Sequence, residues 1–112
     1  MNHRALGRLP AGEMNRLEAA FSQELETRKN VGEIAWYKFE ALKLRLADKT
    51  FFSPDFFVML KTGELQAYEV KGFMEQDANV KLKVAASLYP FPFFLVRARA
   101  KRDGGGWEIT EV

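Results

Sequence analysis

The first strong periodicity runs from Met14 to Asn30, where Leu17, Ala20, Phe21, Leu25 and Arg28 recur at three- and four-residue intervals. That spacing puts them on one side of a 3.6-residue turn and predicts an amphipathic helix. Asn30 and Gly32 supply its stop. The period then shortens to two. In IAWYKFEALKLRLADKTFFSPDFFVML, Leu42, Leu44 and Leu46 alternate with Lys43 and Arg45, as on a strand with one apolar and one polar face. Asp48-Lys49 predicts a tight turn into a second strand. Pro54 lies within that strand and cannot donate to a ladder, so a bulge or bend is expected near Ser53-Pro54. The second strand resumes to Leu60, Gly63 marks a turn, and a third strand runs from about Leu65 to Lys71, where Gly72 ends it.

Asp77 is a suitable N-cap for a second helix, DANVKLKVAASLY, which Pro90 and Pro92 stop. Val80, Val84, Ala85 and Leu88 form its expected apolar stripe, with Lys81 and Lys83 off it. FFLVRAR predicts another strand, DGGG a loop, and WEITEV a short terminal strand at a sheet edge. The order helix, three strands, helix, two strands predicts an α/β sandwich around a mixed sheet. Residues 1–12, with Gly7, Pro10, Gly12 and scattered charge, are expected to form a flexible basic arm before a single domain over 13–112.

Composition narrows the chemistry. At 112 residues, with 47% hydrophobic residues and ten Phe, the chain can bury a core without staples. It has no cysteine, which excludes disulfides, zinc–thiolate sites and thiol catalysis. The only histidine, His3, lies in the arm, which gives a serine–histidine mechanism no support. A cytoplasmic location suits a cysteine-free chain, and neither a signal peptide nor an apolar run of membrane-spanning length is visible. The net charge of +2 says little, but its distribution says more. His3, Arg4 and Arg8 precede the first helix, Arg97, Arg99, Lys101 and Arg102 cluster near the end, and acids concentrate between Glu13 and Glu40. Basic edges around a more acidic interior suit a protein that handles nucleic acid.

In the hairpin FSPDFFVMLKTGELQAYEVKGF three charges fall where a strand should be buried, away from the turn: Asp55, Glu69 and Lys71. A charge among buried strand residues costs several kcal/mol unless it is paired, solvated or metal-bound. Glu69 and Lys71 are two apart and share a face. If Lys61-Thr62-Gly63 is a three-residue loop with Gly63 left-handed, Leu60 opposes Glu64 and Asp55 opposes Glu69, with Cβ atoms roughly 5 Å apart. A two-residue loop would oppose Asp55 to Val70 and send the acids to opposite faces. Two carboxylates at that spacing repel, and a divalent cation such as Mg²⁺, or Mn²⁺ in its place, is the natural remedy. The Val70 carbonyl between them can complete the protein's ligands, and Lys71 is left to orient water or offset charge on phosphorus. The bland alternative is an ordinary acid–lysine salt bridge on a half-exposed strand.

Ser53-Pro54-Asp55 followed by Glu69-Val70-Lys71 resembles the signature of the PD-(D/E)XK nuclease superfamily. MNRLEAAF, AWYKFEALKLRLADKTFFSPDF, YEVKGF and VKLKVAASLYPF together resemble a small phage and prophage family assigned to that superfamily, over residues 14 to 98. The resemblance implies a restriction-endonuclease-like α/β core, a mixed sheet of four to five strands flanked by two helices. It also implies a Mg²⁺ or Mn²⁺ site, Asp55 and Glu69 as ligands, and Lys71 as the catalytic lysine. Many members add an acid from the first helix, which Glu18 would supply here, with Glu24 and Glu26 as the other choices. The expected activity is a metal-dependent DNA endonuclease, acting as a homodimer and suited to branched DNA in the manner of a junction resolvase. Lys81 and Lys83, and with better reason Arg97, Arg99, Lys101 and Arg102, are candidate phosphate contacts. Trp36, Tyr37, Trp107 and Tyr89 are assigned to packing rather than to base stacking. Two rivals remain: a nucleic-acid-binding module of the same fold without activity, and a phage structural component in which the charges are merely paired.

Overall fold

A computed structural model describes residues 12–72 and 80–112; the arm through residue 11 and the expected Asp77 cap lie outside the described residues. Helix α1 spans Arg16–Asn30. Asn15 caps it, accepting from the Glu18 N–H while the Glu18 carboxylate accepts from the Asn15 N–H, a reciprocal capping box. Phe21 and Leu25 are fully buried on its inner face, and Ala20, expected beside them, is exposed. The helix stops at Val31, followed by Gly32 at φ +91°.

Seven strands follow in chain order: β1 Ile34–Phe39, β2 Leu44–Ala47, β3 Thr50–Phe52, β4 Phe56–Leu60, β5 Leu65–Lys71, β6 Phe93–Ala98 and β7 Trp107–Glu111. Helix α2, Val80–Leu88, sits between β5 and β6. Five strands make one mixed sheet in the order β1-β4-β5-β6-β7, with β5 and β6 parallel and the other neighbours antiparallel. The terminal strand lies at an edge, as its sequence predicts.

Alternation alone joins β1 to β2 and β3 to β4, and here the structure corrects it. Glu40 takes φ +50°, which ends β1. The chain bends again at Ser53-Pro54, so β2 and β3 separate from the main sheet and form their own two-stranded hairpin. Its turn lies at Asp48-Lys49 as expected, with Lys49 at φ +56°. Alternation cannot show this excursion, because a hairpin packed on a sheet and a strand inside one carry the same period.

The result is three layers. On one face of the sheet, Phe21 and Leu25 of α1 pack against Ile34, Phe56, Val58, Tyr68, Val70 and Val96. On the other, α2 and the β2–β3 hairpin pack through Leu44, Phe52, Leu82 and Ala85 against Ala67 and Phe93. Strand alternation explains the split: Phe56 and Val58 face α1 while Phe57 faces the hairpin layer. The α2 stripe also needs correction. Leu82 and Ala85 are its buried residues, whereas Val80 and Leu88 are 72% and 54% exposed. Tyr89, just beyond α2, donates to the Arg45 carbonyl at 2.6 Å and ties this end to the hairpin. Among the described residues no helix is long and apolar enough to cross a membrane.

Candidate active site

The β4–β5 register decides whether the three charges meet. Phe56 opposes Tyr68, Phe57 Ala67, Val58 Gln66 and Met59 Leu65. Gly63 has φ +95° and donates to the Leu60 carbonyl at 2.8 Å, while Leu60 donates to the Glu64 carbonyl at 2.8 Å. This is the three-residue loop that the sequence predicts, and the register continued by one residue sets Asp55 against Glu69.

The two acids clasp each other's backbone. Asp55 Oδ2 accepts from the Val70 N–H at 2.8 Å, and Glu69 Oε1 accepts from the Asp55 N–H at 3.2 Å. Proline explains the first bond. In a continued antiparallel ladder residue 54 would exchange two bonds with Val70. The bend withdraws residue 54, and the Asp55 carboxylate takes its place at the Val70 N–H. Pro54 also has no N–H to offer the Val70 carbonyl, which leaves by the same strand edge as the Val70 N–H. Lys71 Nζ stands 3.5 Å from Glu69 Oε2, both side chains largely covered at 19% and 12% exposure.

Both carboxyls are pushed above their ordinary range. Burial raises Asp55 most, the Glu69 charge raises it further, the Val70 N–H opposes, and Glu18 adds charge and a hydrogen bond, bringing it to about 9. Burial likewise raises Glu69, to about 7, with Lys71 and the Asp55 N–H opposing and Glu18 adding to the rise. One lysine therefore does not balance the pair. Two carboxylate oxygens with a strand carbonyl are hard ligands of the kind a divalent cation such as Mg²⁺ accepts alongside water and phosphate, and such an ion would offset the pair's charge. Among the described residues no three His, Asp or Glu side chains converge tightly enough to hold an ion by themselves. The groups that could hold such an ion together are the Asp55 and Glu69 carboxylates and the Val70 carbonyl.

Asp55, Glu69 and Lys71 lie in a cleft of about 800 Å³ lined also by Glu40, Lys43, Phe51, Phe52, Ser53 and Lys81. The hairpin and α2 contribute its upper wall. Of the residues expected at the site, Asp55, Glu69, Lys71 and Lys81 line it together. Arg97 is paired with Lys71 in the parallel register and reaches the Gly72 carbonyl at 3.4 Å. Arg99, Lys101 and Arg102 are exposed beyond the end of β6, on the same sheet end, and Lys83 is exposed outside the lining. Glu18 lies outside the lining too, close enough to Asp55 to raise it while its carboxylate caps α1. Glu26 instead accepts from the Tyr37 hydroxyl at 2.6 Å.

Glu40, Lys43 and Phe51 carry no mark in the sequence that singles them out. Their place follows from the hairpin's fold-back, for which only Pro54 is a partial signal. Tyr37 and Trp107 do pack against the α1 core, as assigned, but Trp36 is 42% exposed. No family model, no curated protein and no solved structure matches the chain.

Proposed function

We propose that this cleft is the active site of a metal-dependent endonuclease that hydrolyses the phosphodiester bonds of DNA. The observation that carries the proposal is the Asp55–Glu69 pair, largely covered, opposed across the β4–β5 register and set beside Lys71 at the end of a parallel strand pair, where basic residues gather. Asp55, Glu69 and the Val70 carbonyl would hold Mg²⁺ or Mn²⁺. When bound, the ion supplies Lewis-acid polarisation of a phosphate oxygen and lowers the pKa of attacking water. Lys71 donates hydrogen bonds to that water and to the phosphate, offsetting negative charge as it develops on phosphorus. Water oxygen bonds to phosphorus, releasing a proton to solvent, while the bond to the departing sugar oxygen breaks and that oxygen takes up a proton from solvent. Glu18, beside Asp55, fits a water-positioning role better than a ligand's. Arg97, Arg99, Lys101 and Arg102 would carry the flanking phosphates.

One site cuts one strand, so cleavage of both strands, or of a branched junction, calls for a homodimer. The test is incubation with supercoiled, linear and four-way-junction DNA, with Mn²⁺, with Mg²⁺ and with EDTA. Cleavage is expected only with metal, and Lys71→Ala is expected to lower its rate at least about 100-fold, the scale of removing one group that stabilises transition-state charge. Cleavage that survives the substitution, or no cleavage of any substrate by the unaltered protein, overturns the proposal. Salt-sensitive binding without cleavage would instead support a binding module of this fold.

A further inference from the structure

We propose that Phe51, on the β2–β3 hairpin, is a stacking platform for an unpaired base, and that the nucleic acid entering this cleft is single-stranded there. The proposal rests on the reading of the cleft as a site for a phosphodiester backbone, and it names the form of substrate. Along β3, Thr50 is half-buried, Phe51 is 39% exposed, and Phe52 is buried in the α2 layer. Alternation thus turns the Phe51 ring away from the core, and the ring lines the same cleft as the carboxylate pair. A single exposed aromatic is ordinary. What distinguishes this one is its company: Lys43 Nζ lies over one face of the ring, 4.7 Å from its centroid, so that a base stacks on the opposite face or displaces the lysine, and Lys81 of α2 lines the same cleft.

An aromatic ring with a cation over one face and a second lysine in the same groove is an arrangement of the kind by which proteins grip single strands without reading sequence. The floor points the same way. Glu69 and Lys71 are only 12% and 19% exposed, so a phosphate has to come down into the cleft to meet them. A flexible single strand can do this with its base turned to Phe51. A duplex is stiff over about 150 base pairs and keeps each base face against its neighbour; exposing one costs a few kcal/mol.

The test is fluorescence-anisotropy binding of a short labelled oligothymidylate and of a duplex of equal length, in EDTA. The single strand is expected to bind more tightly. Phe51→Ala and Phe51→Leu should weaken it roughly 5- to 100-fold while leaving duplex binding alone, and Phe51→Trp should retain it. Phe51→Leu keeps an apolar side chain and loses the π face, which separates stacking from folding. Wild-type binding by Phe51→Leu, or preference for duplex, overturns the inference. Because binding is read without metal, the two proposals fail separately. Phe51-dependent single-strand binding with no cleavage in Mn²⁺ sinks only the nuclease; metal-dependent cutting undiminished in Phe51→Leu sinks only the platform.

Discussion

Asp55 and Glu69 carry opposite demands of stability and chemistry. Unfolded carboxyls titrate near 4, whereas the folded protein holds Glu69 at about 7 and Asp55 at about 9. Over that window the folded state binds protons that the unfolded state has released, so stability falls as pH rises from about 4 through 7 toward 9. In EDTA, thermal midpoints are expected to decline across this range, and Mn²⁺ at pH 8 should recover part of the loss by binding the folded state. Asp55→Asn keeps an acceptor for the Val70 N–H and removes the carboxyl that has to take up a proton on folding at this pH. It should flatten the decline and raise the midpoint at pH 8, by about 4–8 °C for each kcal/mol of that cost removed, while abolishing the Mn²⁺ gain and cleavage. A lower midpoint for Asp55→Asn at pH 8 would show that the pair is not in conflict. The pair is legible in the sequence because charges are rare among Phe56, Val58, Tyr68 and Val70. The role of Glu18 is less so, because the same carboxylate suits a place beside the metal and a place in the capping box, and the box is what occupies it.

The β4–β5 hairpin is the element on which the site depends. Its loop length decides which residues oppose one another, and a slip of one residue would send Asp55 and Glu69 to different faces. Gly63, at φ +95° with open space around an added Cβ, is constrained by backbone conformation and not by its surroundings. Gly63→Ala should therefore cost about 1–2 kcal/mol, seen as a lower thermal midpoint, with cleavage by the folded protein unchanged. Deleting Thr62 is the opposite experiment: a two-residue loop parts the acids, and cleavage should vanish while circular dichroism still reports a folded α/β protein. Elsewhere, local pattern misleads. Val80, Val84, Ala85 and Leu88 share a helical stripe, yet of these α2 buries only Ala85, together with Leu82, both packed with Leu44 and Phe52 of the hairpin. Periodicity finds a helix and an apolar side; when both sides carry apolar residues, the neighbouring layer chooses.

At the scale of the whole molecule, parallel pairing of β5 with β6 brings Lys71 and Arg97 into register, and the chain beyond β6 sets Lys101 and Arg102 in an exposed 3-10 turn at the same end. Charges scattered through the last third of the chain thus become one basic margin near the cleft. Replacing Lys101 and Arg102 together by Ala should leave stability within about 0.5 kcal/mol. The slope of log affinity against log salt should become shallower by about 0.7–0.9 for each phosphate that these two side chains no longer neutralise. An unchanged slope would remove this margin from the binding surface.

Chain order, glycine and proline placement, and alternation determined the two helices, the Gly63 loop, the Asp55–Glu69 register and the shared face of Glu69 and Lys71, since each depends on residues adjacent in sequence or joined by one short turn. Tertiary structure alone decided that β2 and β3 leave the sheet and wall the cleft, that Phe51 and Lys43 line it, and that α2 buries Leu82 while Val80 and Leu88 stay exposed. Those outcomes depend on which layer offers space and which polar group finds a partner first, and such competition between distant segments leaves no periodic trace in the chain.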